Sequence, residues 1–260
     1  MKNLSLDEIR ELAPAVFTEY PAPHLSSKYG FINTLDAINI MAQEGFSVVS
    51  ARQDAQRSRP RVYQRHALVF QHSDWDQAQA SGEVTPRMLL INSHNGKTSM
   101  TARLGMYRFI CANGMVIGND HMAEVIRHTK SLADQLIERI QRAARTAGQV
   151  YKSIEHWQAT ELSPGKAHTF AKEAAKLRFG EKRAEGYEAD MLLEVRRPQD
   201  EGNDLWHVFN RVQEATTNLA ITGKTALGRS VTSRPLLGIT ENTVFNEQLW
   251  RLAESFAETS

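Results

Sequence analysis

The chain has one cysteine in 260 residues, Cys111. That excludes an intramolecular disulfide framework and any zinc site built from several thiolates. It also has almost no net charge, because 31 Lys and Arg stand against 30 Asp and Glu, a balance of +1. This argues against a strongly basic nucleic-acid binder or a membrane-surface protein, although charge can still be polarised locally. No run of apolar residues approaches the roughly 18 needed for a membrane-spanning helix. The stretch MKNLSLDEIRELAPAVF carries Asp7, Glu8 and Glu11 where a secretion signal requires an apolar core, so a cytoplasmic location is expected. Internal repeats and low-complexity segments are absent as well.

What is present is ordinary globular material. Hydrophobic residues make up 41% of the chain, which at this length is enough for a core in one large domain or two small ones. Residues 4–12 predict a short helix with Ser5 as N-cap and acids in the first turn. A second helix is expected from about Asn33, with Leu35, Ile38, Met41 and Ala42 on one face and Gly45 at its end. From Phe46 the period changes to two. FSVVSARQD, VYQRHALVFQH and PRMLLINSH read as strands, with Val62, His66, Leu68 and Phe70 on one face of the second and Tyr63, Arg65 and Val69 on the other. Asn95-Gly96 predicts a two-residue hairpin into KTSMTARLGM, and YRFICA, Asn113-Gly114 and MVIG repeat the pattern.

After Gly118 the pattern becomes helical. Leu132, Leu136, Ile140, Ala143, Ala147, Val150, Ile154 and Trp157 recur at steps of three and four, the signature of one long amphipathic helix ending before Ser163-Pro164-Gly165. Further helices are expected through KAHTFAKEAAKLRF, DLWHVFNRVQEATTNLA and NEQLWRLAESFAE, with an irregular segment, ITGKTALGRSVTSRPLLG, between the last two. The expected fold is α+β: a helix and an antiparallel β-meander of five or six strands over residues 46–118, then a long helix and a helical C-terminal half. The expected division is a sheet-bearing region, 1–130, and a helical region, 131–260, packed on it.

Several motifs invite catalytic readings. Gly96-Lys97-Thr98 and Gly223-Lys224-Thr225 resemble part of a phosphate-binding loop, but that motif needs a glycine five residues earlier, and Ile91 and Asn218 occupy those positions. His66 with His72, and His121 with His128, have spacings that place them on shared faces, yet no His-Glu-x-x-His motif or tight ligand cluster accompanies them. Cys111 lies within RFICANG beside Phe109 and Ile110 and is read as a packing residue rather than a nucleophile with His94 or His121 as base. Ser93 and Ser99 lack a nucleophile-elbow context. Asp74 and Asp76 sit in a polar stretch with Trp75. No catalytic residue, metal ligand or cofactor is therefore assigned.

The basic residues carry more information. ARQDAQRSRPRVYQR holds Arg52, Arg57, Arg59, Arg61 and Arg65 against Asp54 alone, a local balance of +4 (five minus one). Arginines beside Tyr63 and Tyr107 suit phosphate contact combined with base stacking, and Lys97, Arg103 and Arg108 extend the patch. Lys224, Arg229 and Arg234 form a second cluster without acids. A solvated loop protecting a sheet edge is the alternative reading of either cluster, and it is preferred for the second.

NSHNGKTSMTARLGMYRFICANGMVIG, IRHTK, DLWHVFNRVQEATTNL and NEQLWRLAESFA resemble the phage/plasmid-like family called domain of unknown function 932. The resemblance runs from about residue 30 to the C-terminus and implies an origin in mobile elements, but no activity. The order of a helix, a curved meander and a long helix is similar to that of phage-type single-strand annealing recombinases, a fold-level analogy. That analogy implies oligomers holding single-stranded DNA in a basic groove. The leading expectation is a non-enzymatic, oligomeric protein that binds single-stranded DNA to protect or anneal it, with no membrane partner. The alternatives are a module that inhibits a host defence protein through Trp206, Phe209 and Trp250, and a Mg²⁺-dependent nuclease.

Overall fold

The computed structural model describes residues 2–54, 60–72, 84–108, 114–116, 124–125 and 132–258, leaving aside the side chains of 84, 106–108, 114–116, 124–125, 132–133, 143–148 and 150. The fold is α+β, as the periodicities predict: N-terminal helices and an antiparallel sheet, followed by a helical C-terminal half. Compactness divides the chain within the long helix. Among the described residues, one unit runs up to Ala147, and the other begins at Gly148.

The first unit begins with α1 (Leu6–Leu12). Ser5 caps it by accepting from the Glu8 N–H while Glu8 returns a bond to the Ser5 N–H, a reciprocal capping box. Helix α2 (Thr34–Gln43) starts at Asn33, whose side chain accepts from the Leu35 N–H. Its buried face is Thr34, Ala37, Ile38 and Met41; Ala42 is exposed, one position round from the expected face. Gly45 ends it with φ +83°, a conformation that glycine adopts without a Cβ penalty.

The sheet runs β1 (Phe46–Gln53), β2 (His66–His72), β3 (Val84–Asn92), β4 (Thr101–Arg108) in sequence order, and β5 (Gly114–Val116) and β6 (Glu124–Val125) each pair with β4. The pairing register places Gln53, His66 and Asn92 in one cross-strand row at one end of the sheet. The next row on the same face is Ala51, Leu68 and Leu90, all buried. Two connections leave beside the polar row, 54–65 and 93–100. Neither matches its expectation. Residues 61–63 form a short 3-10 turn rather than strand, so Tyr63 and Arg65 do not share a strand face with Val69. Asn95-Gly96 is a turn, with Gly96 at φ +73°, but it sits inside an eight-residue connection rather than a two-residue hairpin. Ser93 holds that connection closed: its Oγ donates to the Thr98 carbonyl and accepts from the Thr98 N–H. Residues 109–113, 117–123 and 126–131, which include Cys111, His121 and His128, lie outside the described residues, as do Asp74 and Asp76.

Helix α3 (Leu132–Ala159) spans both units. The second unit then adds α4 (Pro164–Phe179), the short helices α5 (Glu181–Ala184) and α6 (Ala189–Leu193), α7 (Leu205–Asn218), a hairpin of β7 (Thr222–Lys224) and β8 (Ser230–Thr232), and α8 (Ile239–Glu258). The hairpin occupies the segment expected to be irregular. The core is aromatic. Trp157 lies 4.3 Å from Trp250 and 5.4 Å from Phe209 by ring centroids, and Trp206 stacks on Phe209 at 6.1 Å. All four are at most 1% exposed. Such rings bury large apolar areas and dominate a core's energetics.

Helix α7 is enclosed on nearly every side, so its polar residues need internal partners. Asn210 donates to the Trp206 carbonyl, Gln213 donates to Asn246, Thr216 donates to the Val212 carbonyl, and Glu214 pairs with Arg197.

Candidate functional site

The site is built from the polar row upward. His66 Nδ1 lies 3.0 Å from the Gln64 carbonyl, so that nitrogen carries the proton and Nε2 is the acceptor. Thr34 Oγ1, 2.8 Å from Nε2, donates to it, and Asn92 Nδ2 donates in turn to Thr34 Oγ1 at 2.9 Å and to the Ile32 carbonyl at 3.1 Å. The start of α2 is thereby pinned over strands β2 and β3. His94 Nε2 sits 3.4 Å from the same threonine oxygen, and its ring packs 4.9 Å from Phe31 and 5.1 Å from His66. Its Nδ1 is buried without a hydrogen bond among the described residues.

Both histidines are held neutral. Burial lowers His66 to about 4, opposed by the Gln64 carbonyl. Burial first, and the His66 ring second, lower His94 to about 3, with the nearby Ala15 backbone opposing. Desolvation disfavours the imidazolium because its charge has no water to solvate it. These are structural histidines. His72, six residues along the same strand as His66, is about 20 Å away at the rise of a strand, too far to share a metal ion; it packs edge-on against Phe46.

The polar row determines what stands beyond the end of the sheet. Three consecutive carbonyls of the 61–63 turn are each tied down. Gln53 Nε2 donates to Arg61 O at 2.7 Å, Thr18 Oγ1 to Val62 O at 2.5 Å, and the His94 N–H to Tyr63 O at 3.2 Å. On the other side, the Ala22 N–H donates to His94 O. Gly96 packs so closely on Leu25 that a Cβ there would fall 2.7 Å from Leu25 Cδ2. The Pro-rich 21–25 segment, the 61–63 turn and the 93–100 connection thus meet around one groove of about 340 Å³. Its walls are Ala22, Pro23, His24, Pro60, Tyr63, Asn95 and Lys97.

This groove gathers some of the sequence-selected residues and leaves others apart. Tyr63 and Lys97 line it, and Arg61 is exposed on the turn that carries Tyr63. Arg65 is a strut: its Nη1 pairs with Asp54 at 3.1 Å and its Nε donates to Thr98 Oγ1 at 2.9 Å, joining the two connections. Arg52 is exposed on β1, paired with Ala67. Arg103 is half-buried on β4 opposite Leu89. Tyr107 and Arg108 have strand backbone, while their side chains, like the whole of Arg57 and Arg59, lie outside what is described. Trp206, Phe209 and Trp250, weighed as an apolar interface, are core and present no surface. Among the described residues no group of three or more His, Cys, Asp or Glu is placed to hold a metal ion. No helix among them is long and apolar enough to cross a membrane.

Sequence reasoning missed His24, Asn95 and the two prolines. The usable signal was the break-rich YPAPH stretch and an Asn-Gly turn, both of which mark connections rather than helix or strand.

A family model described as Domain of unknown function (DUF932) matches residues 23–250. The chain belongs to the DUF932 family. Two relatives from Escherichia coli (strain K12), "UPF0380 protein YfjQ" and "UPF0380 protein YafZ", are each 30% identical over 255 residues, covering 98% of this chain and 92% of theirs. No solved structure matches the chain. The DUF932 match takes in the polar row, every groove residue but Ala22, and most of α8. The family description names no reaction, so the chemistry of the groove is argued from its residues alone.

Proposed function

We propose that this DUF932 protein binds single-stranded nucleic acid, most naturally DNA, in the Tyr63–Lys97 groove, and that it holds the strand without reacting on it. The observation that carries the reading is the convergence of a fixed aromatic ring, a cation and two proline walls on one groove. A base has an apolar face and a phosphate on a flexible tether, so a stacking ring beside a lysine complements both at once. The three tied carbonyls of the 61–63 turn keep Tyr63 in place before a ligand arrives, which reduces the ordering cost of binding. Asn95 and His24 add polar groups at the rim. Arg61, exposed beside the groove, extends the positive surface along the strand. The oligomeric, annealing form of this role rests on the similarity in element order to phage-type annealing recombinases.

Binding should be tolerant of base sequence and weaken steeply with salt. The test is fluorescence anisotropy with a labelled oligonucleotide of about 30 nucleotides, at about 50 and about 200 mM salt, the range over which phosphate contacts are lost. Tyr63→Ala should weaken binding roughly 5- to 100-fold, the worth of one stacked base. Lys97→Ala should reduce the salt slope by about 0.7, one phosphate contact on a single strand. Absence of binding at the lower salt would overturn the proposal.

A further inference from the structure

The second unit carries a feature that the groove does not use. From Leu219 to Thr240 the chain contains no acid, but holds Lys224, Arg229 and Arg234. The structure folds this segment into the β7–β8 hairpin, with Thr222 opposite Thr232, Gly223 opposite Val231 and Lys224 opposite Ser230. One face of the hairpin is therefore Thr222, Lys224, Ser230 and Thr232, three hydroxyls and an ammonium, all exposed. At the turn, Leu227 is 81% exposed, and Arg229 is exposed beside it. None of the three cations makes an ion pair among the described residues.

The hairpin is anchored along β7 and at its base, and closed at its tip. The Lys224 N–H donates to Gly186 O at 2.8 Å, an approach so close that a Cβ on Gly186 would lie 1.8 Å from Lys224 O. Ser233 and Ile221 exchange bonds (Ser233 N–H to Ile221 O at 2.7 Å, Ile221 N–H to Ser233 Oγ at 2.9 Å), and Leu236 N–H donates to Thr217 O at the end of α7. Arg178 donates to the Arg234 carbonyl. At the tip, the Thr225 N–H donates to Arg229 O and the Arg229 N–H returns a bond to Thr225 Oγ1, while Gly228 turns the chain at φ +74°.

We propose that the β7–β8 hairpin is a second nucleic-acid contact, an arm whose Lys224, Arg229 and Arg234 take phosphates and whose Leu227 rests against a base. A lysine among hydroxyls on one face, with Arg229 at the turn and Arg234 just beyond β8, supplies groups that proteins place on phosphate oxygens, and an apolar tip suits the face of an unstacked base. The choice of polyanion rests on the function proposed for the groove. The contact itself rests on the hairpin alone.

The experiment compares four full-length proteins by anisotropy with single-stranded and duplex oligonucleotides across a salt series. They are the unaltered chain, the triple variant K224S/R229S/R234S, the single variant L227S and the groove variant Y63A/K97A. Emission from the buried Trp157, Trp206 and Trp250 monitors folding of the second unit, and the altered hairpin residues are exposed and leave it intact. The triple variant should lose about tenfold or more in affinity, with a salt slope shallower by about 2, three contacts at about 0.7 each. L227S should weaken binding to single strands more than to duplex, at an unchanged slope. Should the unaltered chain bind while the triple variant matches it in affinity and slope, the hairpin proposal falls and the groove stands. If Y63A/K97A binds normally while the triple variant does not, the groove reading falls and the hairpin stands. Failure of the unaltered chain to bind either oligonucleotide overturns both, as does tighter salt-sensitive association with phosphatidylglycerol vesicles than with DNA.

Discussion

Acidification should loosen the first unit well before its carboxylates titrate, because two of its histidines are folded neutral. His66 is lowered to about 4 and His94 to about 3, whereas both take up a proton near 6.5 in the unfolded chain. The sign follows from which state binds the proton. Above about pH 6.5 neither state is protonated and the fold keeps its full stability. Below it the unfolded chain gains protons that the fold refuses, so stability falls, and it stops falling once the folded pKa values are passed. At pH 5 the gap is about 1.5 units, worth about 2 kcal/mol per ring at 1.36 kcal/mol per unit. The pair together therefore removes roughly 4 kcal/mol from a domain whose whole stability is of the order of 5–15. Glu8, held down to about 2 by Lys2 first and Ser5 second, releases its contribution only below the ordinary carboxylate range, so it does not confuse this window.

The assay must report on the right unit. Trp157, Trp206 and Trp250 all sit in the second unit, so their fluorescence is the wrong probe. Hydrogen exchange of peptides from β2 and β3, corrected for the intrinsic pH dependence of exchange, reads the first unit directly. Protection there should fall between pH 7 and 5 in the native chain. His94→Gln, which keeps a polar group beside Thr34 and removes the titration, should abolish about half of the fall. Protection that is flat with pH, or an unchanged fall in the variant, would refute the assignment of neutral, buried rings.

Two further outcomes are expected. Gly96→Ala places a Cβ 2.7 Å from Leu25 Cδ2 at a left-handed φ, and should cost about 1–2 kcal/mol in denaturant melts while weakening oligonucleotide binding by displacing Asn95 and Lys97. Trp157→Ala removes the ring at the centre of the aromatic cluster and should destabilise the second unit by about 3–5 kcal/mol, measured as a loss in chemical denaturation midpoint.

The elements were legible wherever one local rule controlled them. The Ser5 cap, the period of two after Phe46 and the three-four spacing up to Trp157 each depend on neighbours in sequence, and α1, β1 to β3 and α3 follow them. The family was legible from the same stretches, since its motifs are contiguous. Residues 62–65 read as the start of a strand because their alternation is short, whereas tertiary bonds from Thr18, Gln53 and His94 pull 61–63 into a turn. The β7–β8 hairpin was missed because three-residue strands carry too little pattern.

Composition and periodicity by themselves determined that this is an α+β chain without a disulfide framework, with its arginines clustered before β2. Only the tertiary structure decided which of those cations face solvent. Arg65 became a strut to Asp54 and Thr98, while Lys97 reached the groove that Tyr63 lines. The physical reason is register. Pairing His66 with Asn92 brings two connections far apart in sequence to one end of the sheet, and no local pattern encodes which strand ends will meet. The Asn-Gly turn that reads as a hairpin in sequence is, in the fold, one wall of the groove.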